Sequence, residues 1–178
     1  LLLTETEKQI IFAEHYYPRM EQTVAKFNSM YLGGTAHELG HGLGLPHDSG
    51  GVREQWMGTS LMGGGNLTYR QEVWGGGKPV YLSQGSALQL IAHPLMTGSN
   101  KGRWAETGGD FKDVKFTAEE ASLTIKGKAG GSIAPYAVVA YLWPASSRTD
   151  HGAQTFQVLL KDGEFAFGLG RLKGGNYR

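Results

Sequence analysis

"HELGHGLGLPHD", residues 37–48, brings three histidines and a glutamate together with interspersed glycines, in a chain that has six histidines in all. On an α-helix, positions i and i+4 share one face, so His37 and His41 can aim two imidazoles at a single point. Gly44 follows three residues later, where the helix must stop and the chain must swing back. Glycine adopts the left-handed conformation of such a turn without steric cost. His47 can then return to the same point as a third donor. Imidazole nitrogens hold zinc at about 2.0–2.1 Å, so the spacing marks a metal site with Zn2+ as its cofactor. Glu38 comes directly after the first donor and lies on the side of the helix where a water beside the metal would sit. Two histidines one turn apart are by themselves a common surface or core pair. The added glycine and third histidine make coincidence improbable.

The full pattern HExxHxxGxxH resembles the signature of the metzincin metalloproteases, and every specified position is filled: His37, Glu38, His41, Gly44 and His47. The resemblance implies a zinc-dependent endopeptidase that hydrolyses peptide bonds with a zinc-activated water, with Glu38 as general base and a protein or peptide as substrate. Metzincins also carry a methionine turn below the metal. "QWMGTSLMGGGN", residues 55–66, offers Met57 and Met62, and Met62 is preferred because "SLMG" is similar to the Leu-Met turns of several branches. The resemblance spans about residues 33–66. Asp48 after the third histidine resembles the reprolysin branch, yet reprolysins are disulfide-rich and this chain has no cysteine, so the branch stays unassigned. Astacins and serralysins place a tyrosine ligand two residues after the methionine, where this chain has Gly64; Tyr69 is nearby but off register and is a candidate for facing substrate or metal. The resemblance also implies that residues from Asn66 to Trp74 wall the pocket for the side chain following the scissile bond. Metzincins build a twisted sheet upstream of the motif. Only 36 residues precede His37 here, and they read as helical.

Working outward from the motif, Thr4 with Glu7 forms a possible capping box for a helix running to about Tyr17. Met20, Val24, Phe27 and Tyr31 recur at helical spacing on a second helix, an apolar stripe that fits core packing. Gly33-Gly34 is expected to end it, and Thr35 to cap a third helix carrying the histidines. From Asp48 to about Lys78 the composition is that of a long ordered loop, a length that is usually functional. Ser83 can cap a short helix, "QGSALQLIAH", that stops before Pro94. Residues 97–110 read as a Gly-rich linker, after which five short segments rich in β-branched and aromatic residues follow. These are "DVKFTA", "ASLTIKGKA", "YAVVAYLWPA", "QTFQVLLK" and "EFAFGLGRL", with Lys161-Asp162-Gly163-Glu164 a strong hairpin signal. The expected fold is α+β: a metzincin-like catalytic domain, helix-rich, over residues 1–110, then an immunoglobulin-like β-sandwich over 111–178 that continues past the last residue.

Composition narrows the remaining choices. In 178 residues, 17 Lys plus Arg against 16 Asp plus Glu leave a formal charge of +1 without a run of like charges, which disfavours nucleic acid as a partner. The longest apolar run, "YAVVAYLW" at 136–143, is far too short to span a bilayer. Without cysteine any transition metal must be held by His, Asp or Glu. The chain begins "LLLTETEKQ", with neither an initiator Met nor a signal-peptide pattern, which reads as a processed or trimmed product, and the expected location is secreted, periplasmic or cell-surface. His15, His93 and His151 have no partner at ligand spacing and are expected to be structural or exposed. "GGGKP" at 75–79 and "GLGRLKGG" at 168–175 fail the phosphate-loop and dinucleotide patterns. Two other classes compete with the peptidase: a glycan- or protein-binding β-sandwich protein with a relic or structural zinc site, and a zinc hydrolase acting on a non-peptide amide. Structural zinc usually has four protein ligands, and Asp48 is the close extra candidate.

Overall fold

The computed structural model describes residues 9–11, 21–66, 69, 79–98, 108–119, 122–171 and 175–178. The chain is α+β, and among the described residues strands outnumber helices. A short antiparallel pair, β1 (Gln9–Ile11) and β2 (Glu21–Thr23), precedes the main helix α1 (Val24–Gly42). The helical reading of residues 4–17 is thereby corrected at 9–11, while Thr4 and Glu7 lie outside the described residues. A second correction concerns Gly33-Gly34: α1 runs straight through it. A Cβ on Gly33 would collide with the Asn66 carbonyl and with Tyr69, so this glycine lets Asn66 and Tyr69 close onto the helix. Thr35 accordingly sits inside the helix, and its hydroxyl donates to Tyr31 O (2.8 Å) instead of capping a new start.

α1 ends where the glycine spacing places the stop. Gly44 has φ +91°, Gly44 N donates to His41 O (2.8 Å), and Leu45 N reaches back to Gly40 O (3.0 Å). These are the paired bonds of a Schellman motif. Residues 48–66 are not featureless loop. They contain a helical turn at Val52–Glu54, β3 (Thr59–Ser60) and a wide turn at Leu61–Gly65, and β3 pairs in parallel with β4 (Val80–Tyr81). Helix α2 (Gln84–Ala92) starts at Ser83, whose side chain accepts from Ser86 N (3.0 Å), and a single turn, α3 (Pro94–Thr97), follows.

All five expected strands are present: β5 (Asp110–Glu119), β6 (Ser122–Gly130), β7 (Ala137–Leu142), β8 (Gln154–Leu159) and β9 (Glu164–Arg171). They form a three-stranded antiparallel sheet ordered β5-β6-β9 and a two-stranded antiparallel sheet β7-β8. Along β9, Phe165, Phe167 and Leu169 are buried while Ala166, Gly168 and Gly170 are exposed, the period-two pattern of a half-buried strand. Those three residues join Val138 of β7 in one apolar cluster, flanked by Ile125 of β6 and by Phe156 and Val158 of β8. The two sheets therefore share a core. Asp162 (φ +54°) and Gly163 (φ +78°) make the tight turn into β9, closed by Lys161 and Glu164, with the positive φ values of a type I′ turn. An immunoglobulin-like sandwich is built from about seven strands; the five seen here, divided three and two, establish paired antiparallel sheets and not that sandwich.

The strand region is tied to the histidine segment. Ser49 N donates to Ala153 O (2.7 Å) and Thr155 N to Gly50 O (3.3 Å), just before and within β8. A Cβ on Gly85 of α2 would press against Val139 and Thr155, so α2 also lies close on β7-β8.

Candidate metal centre

His37 and His41 stand one turn apart on α1, and the Schellman turn at Gly44 brings His47 back beside them. Each ring is oriented by an oxygen on its Nδ1 side: Leu61 O for His37 (2.7 Å), Leu45 O for His41 (2.8 Å) and Asp150 Oδ1 for His47 (2.8 Å). Carbonyl and carboxylate oxygens only accept, so each Nδ1 carries a proton, and a ring in that neutral tautomer presents a lone pair at Nε2. The Nε2 of His41 lies 3.0 Å from that of His37 and 3.1 Å from that of His47. Lone pairs converging at such distances repel one another. A divalent cation among them turns the repulsion into attraction, and two nitrogens bound tetrahedrally to zinc stand about 3.3 Å apart. The donor set thus fits a metal ion, with three imidazole nitrogens suited to zinc and an oxygen acceptor behind each ring.

The segment around Met62 forms the floor. Its side chain is fully buried, and a Cβ on Gly40 would collide with its sulfur, so Gly40 is the gap in α1 that admits it. The adjacent Leu61 carbonyl is the one that orients His37, and Met62 O accepts from Asp48 N (3.2 Å). Met57, by contrast, is 36% exposed. Glu38 is exposed on α1 beside the triad. Asn66 and Tyr69 are half-buried, and the structure brings them to Gly33, one helical turn before His37.

Asp48 has a part that its spacing did not reveal. It is fully buried, and its two oxygens accept from Gly50 N (2.8 Å), Ser60 Oγ (2.8 Å), Ser83 Oγ (2.9 Å) and Ser86 Oγ (2.6 Å). With both oxygens engaged by donors from β3 and the start of α2, Asp48 is a tether under His47 and not a fourth ligand. Nearby, burial, then Glu54 and Asp48, push the Tyr81 phenol up to about 12, so it stays protonated and its hydroxyl donates to Ser49 O (3.3 Å).

Two residues of the centre escaped the sequence reading. Asp150 lies 103 positions from its partner His47. Burial raises its carboxyl, but the His47 hydrogen bond and neighbouring charges outweigh that and hold it below the usual carboxylate range. His151, expected to lack a partner, stacks on His47 with ring centroids 3.7 Å apart, and can group with His37 and His47, their ligand atoms all within 4.8 Å of one another. Burial and then His47 hold its imidazole below the usual histidine range. His93 is structural: its Nδ1 accepts from Leu95 N (3.2 Å) at the start of α3. His15 lies outside the described residues.

No protein-family model and no curated protein matches the chain. Among solved structures it is similar to OgpA from Akkermansia muciniphila. A catalytically inactive form of OgpA in complex with an O-glycopeptide (glycodrosocin) substrate matches with a TM-score of 0.72 and 25% identity, over 86% of this chain and 45% of that one. Wild-type OgpA in two crystal forms matches at 0.70 with 25% identity, over 86% and 45% of the two chains, and at 0.66 with 26% identity, over 82% and 40%. This chain therefore spans less than half the length of the OgpA chains, and shares their fold over most of its own.

Proposed function

We propose that this chain is the metal-bearing part of a zinc-dependent endopeptidase of metzincin type, acting on protein or peptide substrates that carry glycans. The observation that carries the reading is the convergence of three Nε2 lone pairs, each ring held by its own acceptor. His37, His41 and His47 are the proposed ligands. Zinc held there would act as a Lewis acid, lowering the pKa of a water towards about 7 and polarising a carbonyl. Glu38, beside the first ligand and open to solvent, accepts the proton of the attacking water and returns it to the departing amine. Met62 supports the ligands from below, and Asn66 and Tyr69 flank the substrate on the His37 side. The glycan preference rests on the O-glycopeptide bound by OgpA. The strand region from residue 111 is proposed as an accessory sandwich domain that grips part of the same ligand. A glycopeptide substrate also suits a secreted, periplasmic or cell-surface location. Among the described residues no helix is long and apolar enough to cross a membrane.

The direct test is digestion of glycodrosocin, casein and a degenerate peptide pool by protein of measured zinc content, with and without a chelator. One zinc per chain and chelator-sensitive cleavage are expected. Chelator-resistant cleavage, or full zinc with no cleavage of any of the three, would refute the reading.

A further inference from the structure

His151 stands against the triad without belonging to the HExxHxxGxxH pattern. Its ring stacks on His47 with planes 25° apart and runs nearly parallel to that of His37, 6° between planes with centroids 6.4 Å apart. One of its nitrogens lies within 4.8 Å of ligand nitrogens of both His37 and His47. The side chain is 53% exposed, and the nearest carboxylate oxygen, Asp150 Oδ1, is 4.0 Å from its Nδ1, beyond hydrogen-bond range. The backbone beneath it is fixed: Ala153 N donates to Asp150 O (2.7 Å), Ser49 N to Ala153 O (2.7 Å), and Gly63 closes on the His151 carbonyl so tightly that a Cβ there would come within 3.2 Å of it.

The stacking decides what the ring can do. His47 would offer its Nε2 lone pair to an ion in the plane of its own imidazole. His151, its ring stacked at 3.7 Å, is displaced out of that plane by most of the distance and does not share the in-plane approach of the triad nitrogens. With its side chain 53% exposed beside the triad, the ring is free to offer an N–H to an oxygen of a ligand that enters there. An imidazole carries at least one N–H in either charge state, so the donor is always present.

Building on the peptidase reading, we propose that His151 is a catalytic residue, donating a hydrogen bond to the scissile carbonyl oxygen as that oxygen gains negative charge. A preorganised donor aimed at developing charge contributes about 10²–10³-fold to kcat. It acts where the charge appears, so kcat responds and KM hardly does.

The test compares zinc-loaded wild type, His151→Ala and His151→Asn on glycodrosocin and a degenerate peptide pool. For His151→Ala, kcat should fall about 10²–10³-fold with little change in KM, and His151→Asn, which keeps an N–H donor, should recover part of the loss. Affinity for a phosphinic peptide, which mimics the tetrahedral oxyanion, should fall in parallel. Zinc affinity by chelator competition and the visible spectrum of the Co(II)-substituted protein should match wild type. Unchanged kcat, or weakened zinc binding with an altered cobalt spectrum, would overturn the proposal, the latter by making His151 a ligand. Should His151→Ala unfold, the Asn variant decides by its phosphinic-peptide affinity against wild type. Cleavage by wild type with no loss in the variants overturns only the role of His151; zinc-loaded wild type that neither cleaves nor binds the phosphinic peptide overturns the peptidase reading as well.

Discussion

Replacing Asp48 with alanine should destabilise the protein severely without touching any proposed zinc ligand. The carboxylate is fully buried and takes four hydrogen bonds, at 2.8, 2.8, 2.9 and 2.6 Å, from Gly50 N and from the hydroxyls of Ser60, Ser83 and Ser86. Bonds to a charged group are worth about 1.5–3 kcal/mol each, but they do not add, since the freed hydroxyls can turn elsewhere. Ser83 Oγ, for example, keeps its bond from Ser86 N (3.0 Å). Removing one side of a buried charged network typically costs about 3–5 kcal/mol. For a domain of this size each kcal/mol moves Tm by about 2–4 °C, so Asp48→Ala should lower it by about 6–20 °C. Asp48→Asn keeps the shape and one acceptor oxygen, and should cost roughly half as much. Differential scanning calorimetry on metal-free protein reads this without interference from zinc. A Tm within about 2 °C of wild type for Asp48→Ala would refute the claim that this carboxylate ties the His47 loop to β3 and α2.

Three further outcomes follow from the same contacts. Asp150→Ala removes the acceptor behind His47 and should weaken zinc binding about 10–100-fold in chelator competition, with Tm of the metal-free protein little changed, because Asp150 is 46% exposed; an unchanged zinc affinity would show that His47 needs no such support. Gly40→Ala forces a methyl group into the Met62 sulfur and should cost about 1–3 kcal/mol in urea denaturation; a neutral result would mean that the floor of the site yields easily. Limited proteolysis should cut first in the Gly-rich stretch 97–110, and the fragments should still co-elute, since Ser49, Gly50 and His47 bond across to Ala153, Thr155 and Asp150; earlier cutting throughout the strands would argue for one continuous domain.

The parts legible in the sequence are those whose information is local. His37, His41 and His47 lie within eleven positions, so helical period plus one left-handed glycine suffices to predict their convergence. The five strands show because β-branched and aromatic residues alternate with turn residues, and Asp162-Gly163 is a turn in any context. Where local signals were ambiguous they misled. Gly33 looks like a helix terminator, yet its role is to let Asn66 and Tyr69 approach, a tertiary reason with the same one-letter signature. Thr35 is as apt to bond back to Tyr31 O inside a helix as to cap one. Asp48 could be weighed only as a neighbour of His47, because the serines that claim it come from positions 60, 83 and 86. Asp150 and His151 were out of reach, since no periodicity links residues a hundred positions apart.

The central claim, that three histidines hold zinc for a reaction in which Glu38 moves the proton, is tested most directly by Glu38→Gln, with zinc content and cleavage of glycodrosocin and a degenerate peptide pool measured on the same preparations as wild type. Glutamine matches glutamate in size and cannot accept the water proton, so the variant should carry one zinc per chain and unfold at the wild-type temperature, while turnover falls about 10²–10⁴-fold. Equal cleavage by the two proteins, each fully loaded with zinc, would contradict the account.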